Sequence, residues 1–155
     1  MTPTGKLQLL LVEDSPADVF LVRRAMQEEG LDFTLEVAED GETAIQMIDR
    51  VDTGACPTTP ALVLLDVNVP RKSGSQVLQR VRSSPRCGGI PVVVISSSDS
   101  PTERRRAFEL GATEYFCKPS SLLEFMKLGA LVRRLHRQAR GETSSAAGGA
   151  VTSSL

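Results

Sequence analysis

The fold is decided by residues 61–70, which read ALVLLDVNVP, an apolar run that ends abruptly in a single carboxylate, Asp66. Such a run is typical of a strand that is buried on both faces of a parallel sheet. A carboxylate in that place is unfavourable unless a cation or a proton compensates its charge. A second apolar run, LQLLLV at 7–12, is followed by two more acids, Glu13 and Asp14. If the two strands are neighbours, the three acids converge and predict a site for a hard divalent cation, with Mg²⁺ as the leading candidate.

The composition limits the classes of function. The 155 residues fit a single domain, and a hydrophobic share of 41% without any Trp indicates an aliphatic core. A formal net charge of -1 argues against a surface built for nucleic acid. The three cysteines form no CxxC pair, so neither a zinc site nor a disulfide framework is indicated. Since the N-terminus lacks a signal-peptide pattern and no apolar run could cross a bilayer, we expect a cytoplasmic protein without a membrane partner.

Strand-like and helix-like segments alternate along the chain. The predicted strands are 7–12, 34–38, 61–66, 92–96 and 114–117. The predicted helices run from Pro16 to about 29, over 42–51 and 74–82, from a capping box at Ser100 to about 111, and from another at Ser121 to about 140. Five such units predict an α/β fold, in which ligands bind beyond the carboxyl ends of parallel strands. We expect 1–6 to be an N-terminal extension, 7–140 the domain and 141–155 a disordered tail with little to bury.

The predicted strand ends carry complementary chemistry. Glu13 and Asp14 could hold Mg²⁺, and Asp66 could attack a phosphoryl group. Lys118 could pair with Asp66 and then with a phosphoryl oxygen, while Ser96 could donate a hydrogen bond to it. Taken singly, each has an ordinary explanation, such as a turn residue, a helix cap or a solvated lysine. Their convergence on one edge of a sheet is hard to attribute to chance.

Other polar residues receive plainer interpretations. The Lys118–Pro119 bond is a candidate cis peptide. His136, the only histidine, is interpreted as structural or solvated, and the three arginines at 104–106 as a solvated helix face. The chain therefore has no evident histidine that could serve as its own phosphodonor.

The polar pattern resembles the response-regulator receiver domain of two-component signalling, over about 7–140. The resemblance is carried by VED at 12–14, LLD at 64–66, Pro70, Gly74, the Ser96 position and the pair Lys118-Pro119. It implies a flavodoxin-like fold, a (βα)5 doubly wound sandwich with strand order 2-1-3-4-5.

The same resemblance implies a role for each site residue. Asp66 would be the phosphoacceptor, and Mg²⁺ would lie among Glu13, Asp14, Asp66 and the backbone carbonyl of Asn68. Lys118 would contact the phosphoryl group. Ser96 would be the switch hydroxyl, and Tyr115 the switch aromatic that rotates inward when Ser96 moves toward the phosphate.

Several details are similar to the single-domain regulators paired with phytochrome-type histidine kinases: DSPAD at 14–18, the loop at 56–60 and PRKSG at 70–74. We therefore expect a histidine kinase as phosphodonor and output through protein contacts, because no DNA-binding or enzymatic domain follows. Such a switch catalyses only its own phosphorylation and dephosphorylation. The resemblance also implies a homodimer through the region of the fourth and fifth helices. The last helix is richer in apolar residues than one buried face needs: Leu122, Leu123, Phe125, Met126, Leu128, Leu131, Val132 and Leu135.

Three other functions stay open at this point. A phosphohydrolase of the haloacid-dehalogenase type would want a second acid two residues after the nucleophile, where the chain has Asn68. A flavin or nucleotide binder would want a glycine-rich phosphate loop after the first strand, where residues 13–16 read EDSP. A receiver-shaped scaffold that is never phosphorylated would not need the full set of site residues.

Overall fold

A computed structural model describes residues 6–141, so the predicted extension and tail lie almost entirely outside the described residues. The strands are β1 (Leu7–Val12), β2 (Phe33–Ala38), β3 (Leu62–Asp66), β4 (Val92–Ser96) and β5 (Glu114–Cys117). The helices are α1 (Pro16–Glu28), α2 (Gly41–Asp52), α3 (Gly74–Ser83), α4 (Pro101–Glu109), α5 (Leu122–Phe125) and α6 (Lys127–Ala139).

The five strands form one parallel sheet in the order β2-β1-β3-β4-β5, which confirms the predicted flavodoxin-like topology. Every residue of β3 and β4 is buried, because these central strands are covered on both faces. The carboxyl end of β3 lies between those of β1 and β4, so Asp66 stands near the middle of one edge of the sheet.

Alternate side chains of the sheet enter two separate apolar layers, as the period of a strand requires. One layer lies under α2, α3 and α4 and includes Leu10, Val12, Val63, Leu65, Val92, Val94, Ile48, Val77, Leu78 and Ala107. The other lies under α1, α5 and α6 and includes Leu9, Leu11, Leu62, Leu64, Val93, Ile95, Val22, Met26, Leu128 and Val132. The core is therefore aliphatic, as the composition predicts.

A cap at Ser15 starts α1 and aims its first turn at the same edge of the sheet. Ser15 has extended backbone angles, and its Oγ accepts a hydrogen bond from the backbone N–H of Asp18 at 3.3 Å. Pro16 occupies the first turn, where a missing N–H is harmless. This cap fixes where the first-turn side chains of α1 lie relative to the end of β1.

Two local predictions about the end of the chain were wrong. The last helix is not continuous, since α5 and α6 meet at Met126, whose carbonyl accepts from Gly129 N–H three residues on, as in a 3₁₀ turn. The Lys118–Pro119 bond is trans, and residues 6–141 contain no cis peptide.

Most of the apolar side chains of the predicted last helix pack inside the domain. Four of its eight large apolar residues are buried and two are partly buried against the core: Phe125, Leu128, Val132, Leu135, Met126 and Leu131. Leu122 and Leu123 remain, with 53% and 78% of their surface exposed. They lie beside Arg24 and Glu28 of α1. Among residues 6–141, no helix combines the length and hydropathy that a membrane span requires.

Candidate functional site

The predicted strand-end residues do meet at one edge of the sheet. Asp66 ends β3, and Glu13 follows β1, where its N–H donates to the carbonyl of Ala38 at 2.9 Å. Lys118 follows β5, and its N–H donates to the carbonyl of Ser96 at 2.7 Å. Strand pairing continues just past the strand ends, so the backbones that carry these side chains are fixed by the sheet.

The Lys118 ammonium lies at the centre of a group of three carboxylates. Its Nζ donates to Asp18 Oδ2 at 2.6 Å, Asp66 Oδ2 at 2.7 Å and Glu13 Oε1 at 3.1 Å. The Glu13 and Asp66 side chains are only 2% and 7% exposed, whereas that of Asp18 is 27% exposed. Two of the acids are therefore buried behind the ammonium, and Asp18 lies on the solvent side.

The second oxygen of Asp66 is also engaged. Oδ1 accepts from the backbone N–H of Asn68 at 2.7 Å, which orients the carboxylate toward the loop between β3 and α3. The Asn68 side chain itself is exposed. Both oxygens of Asp66 are thus held by donors, so the side chain is presented in one orientation.

The third acid beside Lys118 is Asp18, which lies in the first turn of α1 and is not among the predicted site residues. Carboxylate oxygens of Glu13, Asp18 and Asp66 all lie within 4.8 Å of one another. Asp14, the predicted partner of Glu13, is exposed and is not a member of this group. The signal that could have revealed Asp18 is its position in the first turn of a helix that starts directly after β1.

The donor set suits a hard divalent cation. Carboxylate oxygens are the ligands that Mg²⁺ and Mn²⁺ prefer, and the three acids with one lysine carry a formal charge of −3 + 1 = −2 when ionised. A doubly charged cation would neutralise that excess.

A second polar network joins Ser96 to Tyr115. Ser96 is fully buried, and its Oγ accepts from the N–H of Ser98 at 3.1 Å. The carbonyl of Ser98 in turn accepts from the Tyr115 hydroxyl at 2.7 Å. Arg104 is exposed, as predicted, and its guanidinium also lies 4.7 Å from the centre of the Tyr115 ring, which is a cation–π contact. A cavity of about 160 Å³ beside the Tyr115 ring lies between α3 and α4.

The loop after Asp66 is held by the start of α2. Arg71 and Lys72 adopt left-handed backbone angles, with φ of 52° and 73°, which non-glycine residues rarely do. The N–H of Gly41 donates to the carbonyl of Pro70 at 2.9 Å, and that of Glu42 donates to the carbonyl of Arg71 at 2.8 Å. The first N–H groups of α2, which have no partner within the helix, thus stabilise a strained loop next to the acidic site.

Replacement of Gly41 by alanine is expected to destabilise the protein by about 1–3 kcal/mol, because an added Cβ would lie 2.0 Å from the carbonyl oxygen of Lys72. Urea unfolding measures the loss. Gly89→Ala is the matched control, since a Cβ there would meet nothing within 4 Å. Equal stability of the two variants would show that the loop can move away without penalty.

Residues 9–128 match the response regulator receiver domain family. The chain belongs to this family. The strand order and the acidic edge of the sheet are those of a receiver domain of two-component signalling, and its acidic pocket is compatible with Mg²⁺ and with phosphorylation of an aspartate.

Curated relatives of this receiver domain include proteins of similar length. Rcp1 of Synechocystis sp. is 32% identical over 120 residues, which cover 77% of this chain and 82% of Rcp1. FilR2 of Methanothrix harundinacea, described as a "Probable methanogenesis regulatory protein", is 36% identical over 113 residues, covering 73% of this chain and 72% of FilR2.

Solved structures agree with the same classification. The phosphorylated cyanobacterial phytochrome response regulator RcpA superposes with a TM-score of 0.76 at 27% identity, over 87% of this chain and 96% of RcpA. The Mn²⁺-bound form of Rcp1 superposes with a TM-score of 0.72 at 29% identity, over 89% of this chain and 96% of that one. The homologues of this receiver domain therefore include phytochrome-associated response regulators.

The charge state of Glu13 links the site of this receiver domain to stability. Burial, together with a hydrogen bond to and repulsion from Asp66, raises the pKa of Glu13 from 4.5 to about 7, although Lys118 opposes the shift. Burial by itself would lower the pKa of Lys118, but its contacts with Asp18, Asp66 and Glu13 outweigh that effect and raise it. Lys118 therefore stays charged while Glu13 titrates near neutrality.

A pH dependence of stability follows from Glu13. Its folded-state pKa is raised, so its contribution to stability is complete below pH 4.5 and is lost as the pH rises through about 7. Without divalent cations, we expect the wild type to lose more unfolding free energy than Glu13→Gln between about pH 5 and pH 8. Urea unfolding at both pH values measures this difference. Parallel curves for the two proteins would contradict the assignment.

Proposed function

We propose that Asp66 accepts a phosphoryl group from a phosphohistidine of a sensor kinase. One carboxylate oxygen forms a bond to phosphorus, the P–N bond of the phosphohistidine breaks, and the imidazole leaves as the neutral base after taking up a proton. The observation that carries the proposal is the position of Asp66, whose Oδ2 lies 2.7 Å from the Lys118 ammonium at the central strand end. An ammonium in that place can pair with a phosphoryl oxygen once the phosphoryl group is attached.

The proposed cation is Mg²⁺, held by Glu13, Asp14, Asp66 and the backbone carbonyl of Asn68. When bound, it supplies positive charge toward the phosphoryl oxygens. The buried pair Glu13 and Asp66 supports the proposal most directly. Asp14 stays in the proposed set because it follows Glu13 at the same strand end, although its side chain is exposed in the structure.

We further propose that Ser96 and Tyr115 report the phosphoryl group to the surface. Movement of the Ser96 hydroxyl toward a phosphoryl oxygen would break the hydrogen bond that its Oγ accepts from the Ser98 N–H. The carbonyl of Ser98 accepts from the Tyr115 hydroxyl, so Tyr115 would be affected as well. The cavity beside the Tyr115 ring offers room for inward rotation. Such a shift between two existing states is how a local charge change acts at a distance.

Tyrosine fluorescence is expected to change on phosphorylation, because Tyr115 is the only tyrosine and the chain has no Trp. Ser96→Ala should reduce the change without preventing phosphorylation of Asp66. Ser97→Ala is the matched control, since its side chain is exposed. A full fluorescence change in the Ser96 variant would show that the signal bypasses this hydroxyl.

The partners follow from the same proposal. The phosphodonor is a sensor histidine kinase, and the phytochrome-associated relatives favour one of the phytochrome type. The output is a protein–protein contact made in the cytoplasm, and the receiver acts as a switch that catalyses only its own phosphorylation and dephosphorylation. A homodimer through the α4 and last-helix region remains part of the proposal, with Phe108 of α4 among the exposed apolar residues there.

The test is the intact mass of the protein after incubation with acetyl phosphate, with Mg²⁺ or with EDTA. One added phosphoryl group in Mg²⁺ but not in EDTA supports the proposal, and peptide mapping after borohydride trapping should place it on Asp66. A protein that binds Mg²⁺ but gains no phosphoryl group from either acetyl phosphate or a phosphorylated kinase would overturn it. Sustained turnover of a phosphomonoester would favour the phosphohydrolase instead.

A further inference from the structure

We infer that Asp18 is a positioning residue, which holds the Lys118 ammonium on the solvent side of the site while a divalent cation takes the carboxylates of Glu13 and Asp66. The inference rests on the proposed function, since it concerns the same site. It assigns to Asp18 a role that acts through Lys118 and not by direct contact with the cation.

The contacts of Lys118 point to this role. Its shortest bond, 2.6 Å, goes to Asp18 and not to either of the buried acids. Asp18 is also the most exposed of the three carboxylates, so an ammonium held by it alone would lie nearest to solvent. The structure therefore gives the ammonium a close partner on the solvent side, away from the buried acids.

Lys118 and a divalent cation need the same oxygens. The ammonium occupies the space between Glu13 and Asp66, where its Nζ lies 3.1 Å and 2.7 Å from their carboxylates. A cation bound to the same oxygens would lie close to the ammonium, and two positive charges that close together in a partly buried site repel strongly. Binding of the cation therefore requires the ammonium to move outward, and a carboxylate that keeps hold of it lowers the energy of that movement.

Asp18 is anchored well enough to do this. It lies in the first turn of α1, and its N–H donates to Ser15 Oγ at 3.3 Å. The N–H of Val19 donates to the carbonyl of Ser15 at 3.0 Å, which fixes the same turn. The backbone that carries the carboxylate thus keeps its place when the ammonium loses its other two partners.

The competing role is that Asp18 is itself a ligand of the cation, which its distance from the other two acids would allow. The two roles predict opposite coupling with Lys118. If Asp18 positions Lys118, removal of the Asp18 charge weakens cation binding most when Lys118 is present to compete for Glu13 and Asp66. If Asp18 is a ligand, Lys118 competes with the cation for Asp18. Removal of the Asp18 charge then weakens cation binding equally or more when Lys118 is absent.

A double-mutant cycle with Mn²⁺ titrated by calorimetry separates these roles. The four proteins are the wild type, Asp18→Asn, Lys118→Met and the double variant. We expect Asp18→Asn to weaken Mn²⁺ binding at least about threefold more in the Lys118 background than in the Met background. Asp18→Glu, which keeps the charge, should restore much of the affinity. An equal or larger effect in the Met background, or no effect in either, would overturn the inference.

The same proteins distinguish this inference from the proposed function. Thermal melts with Mn²⁺ present check that each variant is folded, because bound cation stabilises the folded state. If the wild type binds Mn²⁺ and is phosphorylated on Asp66, but Asp18→Asn has the same effect on Mn²⁺ affinity in both backgrounds, only the role of Asp18 is refuted. A wild type that neither binds Mn²⁺ nor gains a phosphoryl group would refute the proposed function, and the inference with it.

Discussion

Asp66→Asn is expected to abolish phosphoryl labelling by acetyl phosphate or by a kinase. The amide has nearly the same shape as the carboxylate but lacks the anionic oxygen that attacks phosphorus. It also removes the charge that Lys118 contacts at 2.7 Å and that raises the pKa of Glu13. The loss should therefore be complete, and not a partial reduction in rate. Intact-mass spectrometry measures it.

The control for this variant is Asp99→Asn, which changes an exposed aspartate in the loop after β4. Its labelling should match that of the wild type. Asp66→Asn should remain folded, because loss of the Asp66 charge relieves its repulsion with Glu13. Persistent Mg²⁺-dependent labelling of a folded Asp66→Asn protein would place the phosphoacceptor at another residue.

Lys118→Met is expected to destabilise the protein by about 2 kcal/mol at neutral pH without divalent cations. This is less than the cost of removing one partner of a fully buried ion pair. The substitution leaves Glu13 and Asp66 buried without the ammonium that each contacts. Mg²⁺ should recover much of the loss, because it compensates the same charges. Urea unfolding with and without Mg²⁺ measures both effects.

Lys127→Met is the matched control for this prediction. Lys127 also pairs with a glutamate, Glu124 at 3.0 Å, but its side chain is 68% exposed. We expect a change within about 0.5 kcal/mol and no dependence on Mg²⁺, since exposed pairs contribute little. If both variants lose the same stability, the acids of the site are better solvated than the structure indicates.

Much of the fold could be predicted from local patterns. Apolar runs bounded by turns located all five strands, and the predicted starts of α1 and α2 lie within about one residue of the observed ones. The strand order needed the family resemblance, because periodicity shows that strands are buried but not which strands are neighbours. The break at Met126 was missed, since residues 125–127 include neither Gly nor Pro.

The candidate site was predicted less completely. Asp66, Glu13 and Lys118 could be found because they directly follow or end strands, and the carboxyl ends of parallel strands share one edge. Asp18 could not be ranked above Asp14, because the direction of a first-turn side chain depends on how the helix packs. Arg104 lies on an exposed helix face as predicted, but its contact with the Tyr115 ring on another element could not be predicted, for the same reason.

The sequence by itself determined which residues lie at the carboxyl edge of the sheet. An apolar strand that is buried on both faces places the polar residue at its carboxyl end on that edge. Only the tertiary structure decided which of these side chains touch. The packing of α1 beside the end of β1 placed Asp18, and not Asp14, against the ammonium of Lys118. Contacts of this kind depend on the relative positions of separate elements, which a pattern along one segment does not contain.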